Sequence, residues 1–247
     1  MSRKRADILL VEKGLFDSRA KARAAIEAGC VTADGKVVAK AAEVIDESAE
    51  IVAEAAHPWV GRGALKLVRA LEQWPVVVDG RIAIDVGAST GGFTEVLLSK
   101  GAARVLAVDV GRDQLHQSLK NDPRVEDLSP LDARALTSEH APDGVDLVVT
   151  DVSFISLEKA LPAALGLARS GADLVALVKP QFEAGRENVG KGGLVKDPDV
   201  IAACVARVSA FLEASGWTVR DSADSPIAGG EGQVEKLLWA VKGSEKA

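Results

Sequence analysis

Charged side chains follow two predicted strands of this chain at the point where each strand ends. Asp151 comes directly after the apolar run 145–150, and Lys179 follows the run 173–178. A lysine held beside an aspartate suits proton transfer when burial or a second cation lowers its pKa. Because the carboxyl ends of parallel strands meet at one crevice, we expect Asp151 and Lys179 to face each other there. Ordinary surface charge is the alternative interpretation.

A glycine-rich loop precedes both positions and is typical of a ligand-binding turn. Its glycines let the backbone approach a bound molecule closely, and the helix that follows favours a carboxylate at its N-terminus. Asp109 ends the next predicted strand, where its carboxylate can accept hydrogen bonds from both hydroxyls of a ribose. The candidate cofactor-binding residues of this loop are Asp85, Gly87, Ser89, Gly91, Gly92 and Phe93.

The loop and Asp109 together fit either NAD or S-adenosylmethionine. Asp85 is expected to place a negative charge at the mouth of the loop, which repels a pyrophosphate but suits a sulfonium or ammonium group. The spacing Gly-x-x-x-Gly-Gly also differs from the dinucleotide fingerprint Gly-x-Gly-x-x-Gly. These two details favour S-adenosylmethionine, and an NAD-dependent oxidoreductase stays open as an alternative that a cofactor titration would separate.

Alternating strands and helices must position these groups. The predicted strands are 81–86, 103–109, 145–150, 173–179, 217–221 and 235–241. The predicted helices are 92–99, 156–169 and 198–214. This order predicts an α/β fold with an open, doubly wound, mostly parallel sheet. The last two strands lack a full helix between them, so they are expected to form an antiparallel edge.

The first 56 residues predict a separate, small α+β domain. Two short helices, 5–13 and 19–28, precede a hairpin whose turn is Asp34-Gly35. Ser18 is placed to cap the second helix. The predicted organisation is therefore a domain at 1–56, a Pro- and Gly-rich linker at 57–63 and a catalytic domain at 64–247.

The distribution of charge changes what the net charge of −6 implies. Residues 1–40 carry nine basic and five acidic side chains, whereas residues 41–60 carry five acidic and no basic ones. Because screening confines the field of a charge to about 8–10 Å, a basic lobe on an acidic protein can bind phosphate locally. A solvated helical face without a ligand explains the same charges.

Composition predicts a cytoplasmic protein. Hydrophobic residues make up 47% and charged residues 27% of the chain, an ordinary globular balance. No apolar run approaches the roughly 20 residues of a membrane span, and the four apolar residues behind the basic N-terminus are too few for a signal peptide. Cys30 and Cys204 each lie in an apolar stretch and predict buried thiols. We therefore expect no membrane partner, no disulfide and no metal.

Taken in order, the motifs resemble those of the haemolysin A (TlyA) family of ribosomal RNA 2'-O-methyltransferases over nearly the whole chain. The N-terminal lobe resembles an S4-type RNA-binding domain in its Ser18-Arg19-Lys21-Ala22 helix and its turn at 29–35. The catalytic half is similar in the segments 61–67, 85–93, 151–156 and 179–186. The resemblance implies S-adenosylmethionine as the cofactor, a seven-stranded Rossmann-like sheet, and ribosomal RNA or ribosomal subunits as the partner, with cytidine as the modified nucleotide.

The family uses a Lys-Asp-Lys-Glu tetrad, and the matching positions are Lys66, Asp151, Lys179 and Glu235. Under this reading Lys179 takes the proton of the sugar hydroxyl, and Lys66 favours its neutral form by like-charge repulsion. Asp151 holds Lys179, while Glu235 orients Lys66 or the sugar. Glu231 is a nearby competitor for the fourth position.

Three departures from the family pattern stand out. Gly61-Arg62-Gly63-Ala64 replaces the usual Ser-Arg-Gly-Gly, and Gln233 and Asp132 each stand where the family has Asn. Both substitutes keep the ability to form hydrogen bonds. Asp132 and Asp151 complete the predicted cofactor site.

The predicted RNA-binding residues extend from the N-terminal lobe to the long Gly-rich segment 183–195, whose length is typical of a functional loop. They are Arg5, Ser18, Arg19, Lys21, Arg23, Lys36, Arg62, Arg186 and Lys191. Two other functions stay open at this point. One is a non-catalytic RNA-binding or ribosome-assembly factor, and the other is a membrane-active haemolysin, which the lack of a long apolar segment disfavours.

Overall fold

The structure is a computed structural model that describes residues 2–229 and 232–243. The chain divides into two compact units, Met1–Arg62 and Gly63–Ala247. Each unit has its own apolar core, so each is described by itself. Within the described ranges, no helix is both long and apolar enough to cross a membrane.

The first unit packs two helices against two small sheets. Its helices are α1 (Ala6–Glu12) and α2 (Arg19–Glu27). Its strands are β1 (Arg3–Arg5), β2 (Val31–Ala33), β3 (Lys36–Val37), β4 (Val44–Asp46) and β5 (Ile51–Ala53). β1 pairs with β4, and the other three strands form a sheet in the order β3-β2-β5.

Local sequence signals account for the first unit. Asp34 and Gly35 have φ values of 49° and 73°, as the two central residues of a tight β2–β3 hairpin turn require. Ser18 accepts a hydrogen bond from the backbone N–H of Lys21 at 3.3 Å, which confirms the predicted helix cap. Ala22 and Ile26 of α2 are buried in the core of this unit.

The second unit is built on a seven-stranded sheet with the order β11-β12-β10-β9-β6-β7-β8. Its strands are β6 (Ile82–Val86), β7 (Arg104–Val108), β8 (Val125–Asp127), β9 (Val145–Thr150), β10 (Ala168–Val178), β11 (Trp217–Asp224) and β12 (Lys236–Lys242). Strands β6 to β10 pair in parallel, whereas β12 is antiparallel to both of its neighbours. The predicted doubly wound α/β class and its antiparallel edge are confirmed.

The helices of this unit connect the strands of the sheet. They are α3 (Ala64–Gln73), α4 (Gly92–Ser99), α5 (Gln117–Lys120), α6 (Leu157–Ala160), α7 (Pro162–Leu167), α8 (Pro180–Glu183) and α9 (Pro198–Ala214). The single helix predicted at 156–169 is wrong. Pro162 opens α7, because proline has no N–H to continue a helix and its ring clashes with the preceding turn. Residues 168 and 169 already belong to β10.

The sheet order reverses direction between β6 and β9, which is where an open α/β sheet forms a crevice. Val86 at the end of β6 lies opposite Thr150 at the end of β9. The next residues along the chain, Gly87 and Asp151, therefore enter the same region. The fold thus brings the glycine loop and the predicted catalytic aspartate to one edge of the sheet.

Candidate active site

A cavity of about 550 Å³ lies at the carboxyl ends of β6, β7 and β9. This volume is within the range of pockets that hold small ligands. Five of the predicted cofactor-binding residues line it, namely Gly87, Ser89, Asp109, Asp132 and Asp151. The wall also contains apolar side chains such as Val110 and Leu131.

Gly87 allows the glycine loop to contact the segment that follows β9. Its φ is +85°, and a Cβ there would lie 3.0 Å from Val152 Cγ1 and 3.1 Å from Val152 Cα. Backbone atoms cannot move aside as the end of a flexible side chain can. A side chain at position 87 would therefore push the loop away from Asp151.

The carboxylate of Asp109 is held in place by the backbone at the cavity wall. Oδ2 accepts the N–H of Ser89 at 2.8 Å, and Oδ1 accepts the N–H of Gly111 at 2.7 Å. A carboxylate offers about four lone-pair sites, so two acceptor positions remain for a ligand. This geometry suits the predicted capture of two ribose hydroxyls.

Asp85 does not lie where its predicted role requires. It is 1% exposed, it is not part of the cavity wall, and it accepts a hydrogen bond from Thr94 Oγ1 at 2.7 Å. Burial raises the pKa of Asp85 to about 7, and the charges of Asp151 and Asp109 add to the effect. The prediction that Asp85 puts a negative charge at the mouth of the loop is therefore wrong. The carboxylates of the cavity wall belong to Asp109, Asp132 and Asp151.

Gly91, Gly92 and Phe93 form the start of α4 instead of the cavity wall. Gly91 has a φ of +94°, and a Cβ there would lie 2.7 Å from Leu115 Cδ1. Gly91 is therefore needed for its backbone conformation and for close packing of the helix start. Phe93 is buried and belongs to the core.

Asp132 lines the cavity in a paired state. Arg134, two residues on, donates to it from both its side chain, at 2.6 Å, and its backbone N–H, at 3.0 Å. These hydrogen bonds lower the pKa of Asp132 to about 2. The charge that distinguishes Asp132 from the family's Asn is thus balanced locally by Arg134.

The four tetrad positions converge into one ion-paired cluster. Lys66 Nζ lies 2.7 Å from Glu235 Oε2 and 3.2 Å from Asp151 Oδ2. Lys179 Nζ lies 2.6 Å from the other oxygen of the same aspartate, Asp151 Oδ1. The two lysines therefore share one carboxylate, and two positive charges face two negative ones.

Four separate parts of the second unit supply this cluster. Lys66 is on α3, Asp151 follows β9, Lys179 follows β10, and Glu235 immediately precedes β12. All but Asp151 are buried. Burying a charge is costly unless it is paired, so each member depends on the others for its stability in this position. Of the two candidates for the fourth position, Glu235 makes this contact, and Glu231 lies outside the described residues.

Gln233 connects the end of the Gly-rich segment to the residues just before β12, among which is Glu235. Its side chain accepts the N–H of Val195 at 2.7 Å and donates to the carbonyl of Val195 at 3.0 Å. The amide at this position therefore has a structural task, because it both accepts from and donates to the backbone of Val195. This contact fixes the segment just before β12.

Four residues of the segment 151–156 to which the sequence assigned no role line the cavity, and two of them, Ser153 and Phe154, are exposed. Ser153 is exposed on the cavity wall and contacts Lys179. Phe154 is 90% exposed, has a φ of +67°, and packs its ring 5.1 Å from that of Phe182. An exposed aromatic residue with left-handed backbone is unusual. Their motif pointed to the segment, but only the structure shows which side chains face outward.

Four of the predicted RNA-binding residues of the first unit are engaged in ion pairs. Arg5 and Arg19 both pair with the buried Asp7, at 3.0 and 2.6 Å. The hydrogen bonds from these two arginines lower the pKa of Asp7 to about 2, and the one from Arg5 has the larger effect. Lys21 pairs with Asp17, and Arg23 pairs with Glu27, each within one helical turn.

Of the other predicted RNA-binding residues, one has a structural role and the rest are exposed. Ser18 caps α2. The exposed residues are Lys36 and Arg62 in the first unit, and Arg186 and Lys191 in the second. Acidic side chains therefore compensate part of the positive charge of the predicted basic lobe. An example from the acidic segment 41–60 is Glu47, which lies 3.4 Å from Lys4.

Comparison with known proteins agrees with this geometry. Residues 59–242 match the family model of the FtsJ-like methyltransferases, and residues 4–51 match that of the S4 domain. The chain is 47% identical over 247 residues to the 16S/23S rRNA (cytidine-2'-O)-methyltransferase TlyA of Mycobacterium tuberculosis, covering 99% of this chain and 92% of that protein. It is 36% identical to Hemolysin A of Brachyspira hyodysenteriae, covering 96% and 99% of the two chains.

A solved structure from Streptococcus thermophilus, described there as a candidate hemolysin, superposes with a TM-score of 0.77. It is 39% identical and covers 98% of this chain and 90% of its own. The sheet, the glycine loop and the side-chain cluster define a Rossmann-like methyltransferase that carries an S4 domain. Within that class, the chain belongs to the haemolysin A (TlyA) family of FtsJ-like methyltransferases.

Proposed function

We propose that this chain transfers a methyl group from S-adenosylmethionine to a ribose 2'-hydroxyl of ribosomal RNA, with cytidine as the target nucleotide. The cluster of Lys66, Asp151, Lys179 and Glu235 beside the cavity carries this proposal. The name of the Mycobacterium tuberculosis relative supports the nucleotide and the position on the sugar. A ribosomal substrate would place the reaction in the cytoplasm.

The residues of the cavity fit S-adenosylmethionine. Asp109 would hold the ribose hydroxyls, because its carboxylate is already oriented by two backbone N–H groups and retains free lone pairs. Val110, Leu131 and Ala133 offer apolar surface for the adenine. Asp132 would accept a hydrogen bond from the base edge. When bound, S-adenosylmethionine supplies a methyl group that is activated by its positive sulfur.

The protein's own groups would activate the sugar. A ribose hydroxyl is a weak acid, so its attack is assisted by a base that removes its proton. Lys179 would be that base, and Asp151 holds it through a contact of 2.6 Å. Lys66 contacts the other oxygen of the same carboxylate at 3.2 Å, so both lysines are positioned by Asp151. Glu235 would keep Lys66 in place.

The RNA would be held by both units. Phe154 presents an exposed ring at the cavity, where a base of the substrate would stack on it. Basic residues of the S4 domain and of the segment 183–195 would contact phosphates. The direct test is to incubate purified ribosomal subunits with the protein and labelled S-adenosylmethionine, and to map the ribose methylation. No label in RNA would refute the proposal.

Asp109→Ala is expected to weaken S-adenosylmethionine binding by about 1–3 kcal/mol, because hydrogen bonds to the ribose are lost. Asp109→Asn keeps one acceptor oxygen and should lose less. Calorimetry measures both affinities, and the matched control is Asp143→Ala, an exposed aspartate just before β9. Binding of NAD with no response to S-adenosylmethionine would contradict the assignment of the cavity.

Lys21→Gln together with Arg23→Gln is expected to weaken RNA binding and to lower the slope of log K against log salt by up to about 2, one for each lost phosphate contact. Arg19 is left unchanged because it neutralises the buried Asp7. Salt titrations with ribosomal RNA measure the slope.

The paired control for this experiment is Asp17→Asn with Glu27→Gln, which removes the acidic partners of the same two side chains. This control should not weaken RNA binding. The affinity for S-adenosylmethionine should stay unchanged in both double variants. An unaltered salt slope in the Lys21 and Arg23 variant would mean that this helix face is merely solvated.

A further inference from the structure

The amino group of Lys179 has three oxygen neighbours. Asp151 Oδ1 lies at 2.6 Å, the backbone carbonyl of Asp151 at 3.2 Å, and Ser153 Oγ at 2.9 Å. A lysine ammonium has three N–H donors and no lone pair. Lys179 donates hydrogen bonds to the carbonyl and to Ser153 Oγ, whereas Asp151 Oδ1 is an ion-pair contact that receives no hydrogen bond.

Removal of one proton affects the three partners differently. A neutral amine keeps two N–H donors and gains one lone pair. A carboxylate and a carbonyl oxygen can only accept hydrogen bonds, so neither contact with Asp151 can supply a proton to that lone pair. A serine hydroxyl can both donate and accept, so Ser153 is the partner that can reverse its role and donate to the lone pair. The basic lone pair of Lys179 then points to Ser153.

Ser153 is also more accessible than Lys179 to a molecule in the cavity. Lys179 is buried, with 8% of its surface exposed, whereas Ser153 is exposed and lines the cavity. Asp151 and Asp109 lie on the same wall. A substrate hydroxyl in the cavity can thus approach the serine oxygen without displacing Oδ1 or the backbone carbonyl of Asp151 from Lys179.

We propose, on the basis of the function proposed above, that Ser153 is a catalytic residue that relays the proton of the sugar 2'-hydroxyl to Lys179. The sugar O–H bond breaks as its proton passes to Ser153 Oγ, and the serine's own proton passes to Lys179 Nζ. The sugar oxygen forms its bond to the methyl carbon while the sulfur–methyl bond breaks, and the sulfur keeps that electron pair. Ser153 ends as a neutral hydroxyl and Lys179 as an ammonium.

The same path resets the base. After methyl transfer, the ammonium of Lys179 donates to Ser153, whose hydroxyl is in contact with solvent through the open cavity. The proton leaves to water, and the neutral amine is restored. A buried base therefore does not need a separate exit for its proton.

The test compares Ser153→Ala, Ser153→Thr and a matched control, Ser156→Ala. Ser156 lies in the same segment at the start of α6, and its side chain makes no capping hydrogen bond. Turnover of labelled S-adenosylmethionine on ribosomal subunits is measured in H₂O–D₂O mixtures. Calorimetry of S-adenosylmethionine binding and thermal unfolding report whether each variant is intact.

Ser153→Ala should reduce kcat by about 10²-fold or more, the lower end of what a positioned proton-transfer group contributes. KM and the affinity for S-adenosylmethionine should stay unchanged, while Ser153→Thr and Ser156→Ala should retain most activity. In the wild type, two protons in motion should give a curved dependence of kcat on the deuterium fraction. A linear dependence is expected for Ser153→Ala.

Three results would overturn the relay. They are near wild-type kcat in Ser153→Ala, equal losses in Ser153→Ala and Ser153→Thr, or an effect confined to KM. Absence of methylation by the wild-type protein itself would instead refute the proposed function, so the two failures are distinguishable.

Discussion

Lys179→Arg is expected to lose about 10²- to 10⁴-fold in the rate of methyl transfer, the range contributed by a general base. Arginine preserves the positive charge beside Asp151, but its guanidinium stays protonated and cannot accept a proton. Lys179→Ala removes the amine altogether and should be inactive because no base remains at this position. Single-turnover transfer of labelled methyl groups to ribosomal subunits measures the chemical step.

The matched control is Lys196→Arg, the same substitution at an exposed lysine of the same unit. It should retain full activity, and all three variants should bind S-adenosylmethionine normally because the lysine acts on the sugar. A Lys179→Arg protein with near wild-type turnover would exclude the base role and leave an electrostatic one.

Asp85→Asn is expected to remove a pH dependence of stability worth up to about 4 kcal/mol in the cofactor-free protein. Burial raises the pKa of Asp85 from 3.8 to about 7. Between these values the folded protein holds a proton that the unfolded chain releases. The stabilisation is therefore complete below pH 3.8 and is lost as pH rises through about 7. Asparagine resembles the neutral carboxyl and can still accept from Thr94.

Urea unfolding from pH 5 to pH 8 provides the measurement, as the difference in unfolding free energy between the wild type and Asp85→Asn. That difference should shift in favour of the variant as pH rises. Asp132→Asn is the control, because hydrogen bonds from Arg134 lower the pKa of Asp132 to about 2 and leave it ionised throughout this range. Parallel curves for the wild type and Asp85→Asn would show that Asp85 is ionised in the folded protein.

The central strands are predictable from the sequence alone. Strands β6, β7 and β9 are buried between helices on both faces of a parallel sheet, and for this reason their sequences are mostly apolar runs. Strand β8 was missed, since Val125–Asp127 is a half-buried edge strand whose acidic residues hide any apolar pattern. Helix α3 was missed beside the linker glycines, although its buried residues Ala64, Leu67 and Ala70 recur at helical spacing.

Part of the site also follows from sequence. Asp151 and Lys179 each end a parallel strand, and such ends meet at one crevice, so their proximity was predictable before any coordinates. The S4 and methyltransferase motifs are local, and the family follows from them. Glu235 was open between two candidates, because no local rule tells which glutamate of a loop reaches a lysine on a distant helix.

The tertiary structure decided what each polar side chain contacts. Asp85 and Asp109 both come from strand ends beside the glycine loop, yet one is buried under Thr94 and the other is held open to the cavity. Arg19 belongs to a basic motif but neutralises Asp7. Burial and pairing depend on segments far apart in the chain that pack together, whereas strand and helix patterns depend on neighbours a few residues away. For this reason the sequence determined the fold class and the cofactor edge, and only packing determined which charges are buried, paired or presented to a ligand.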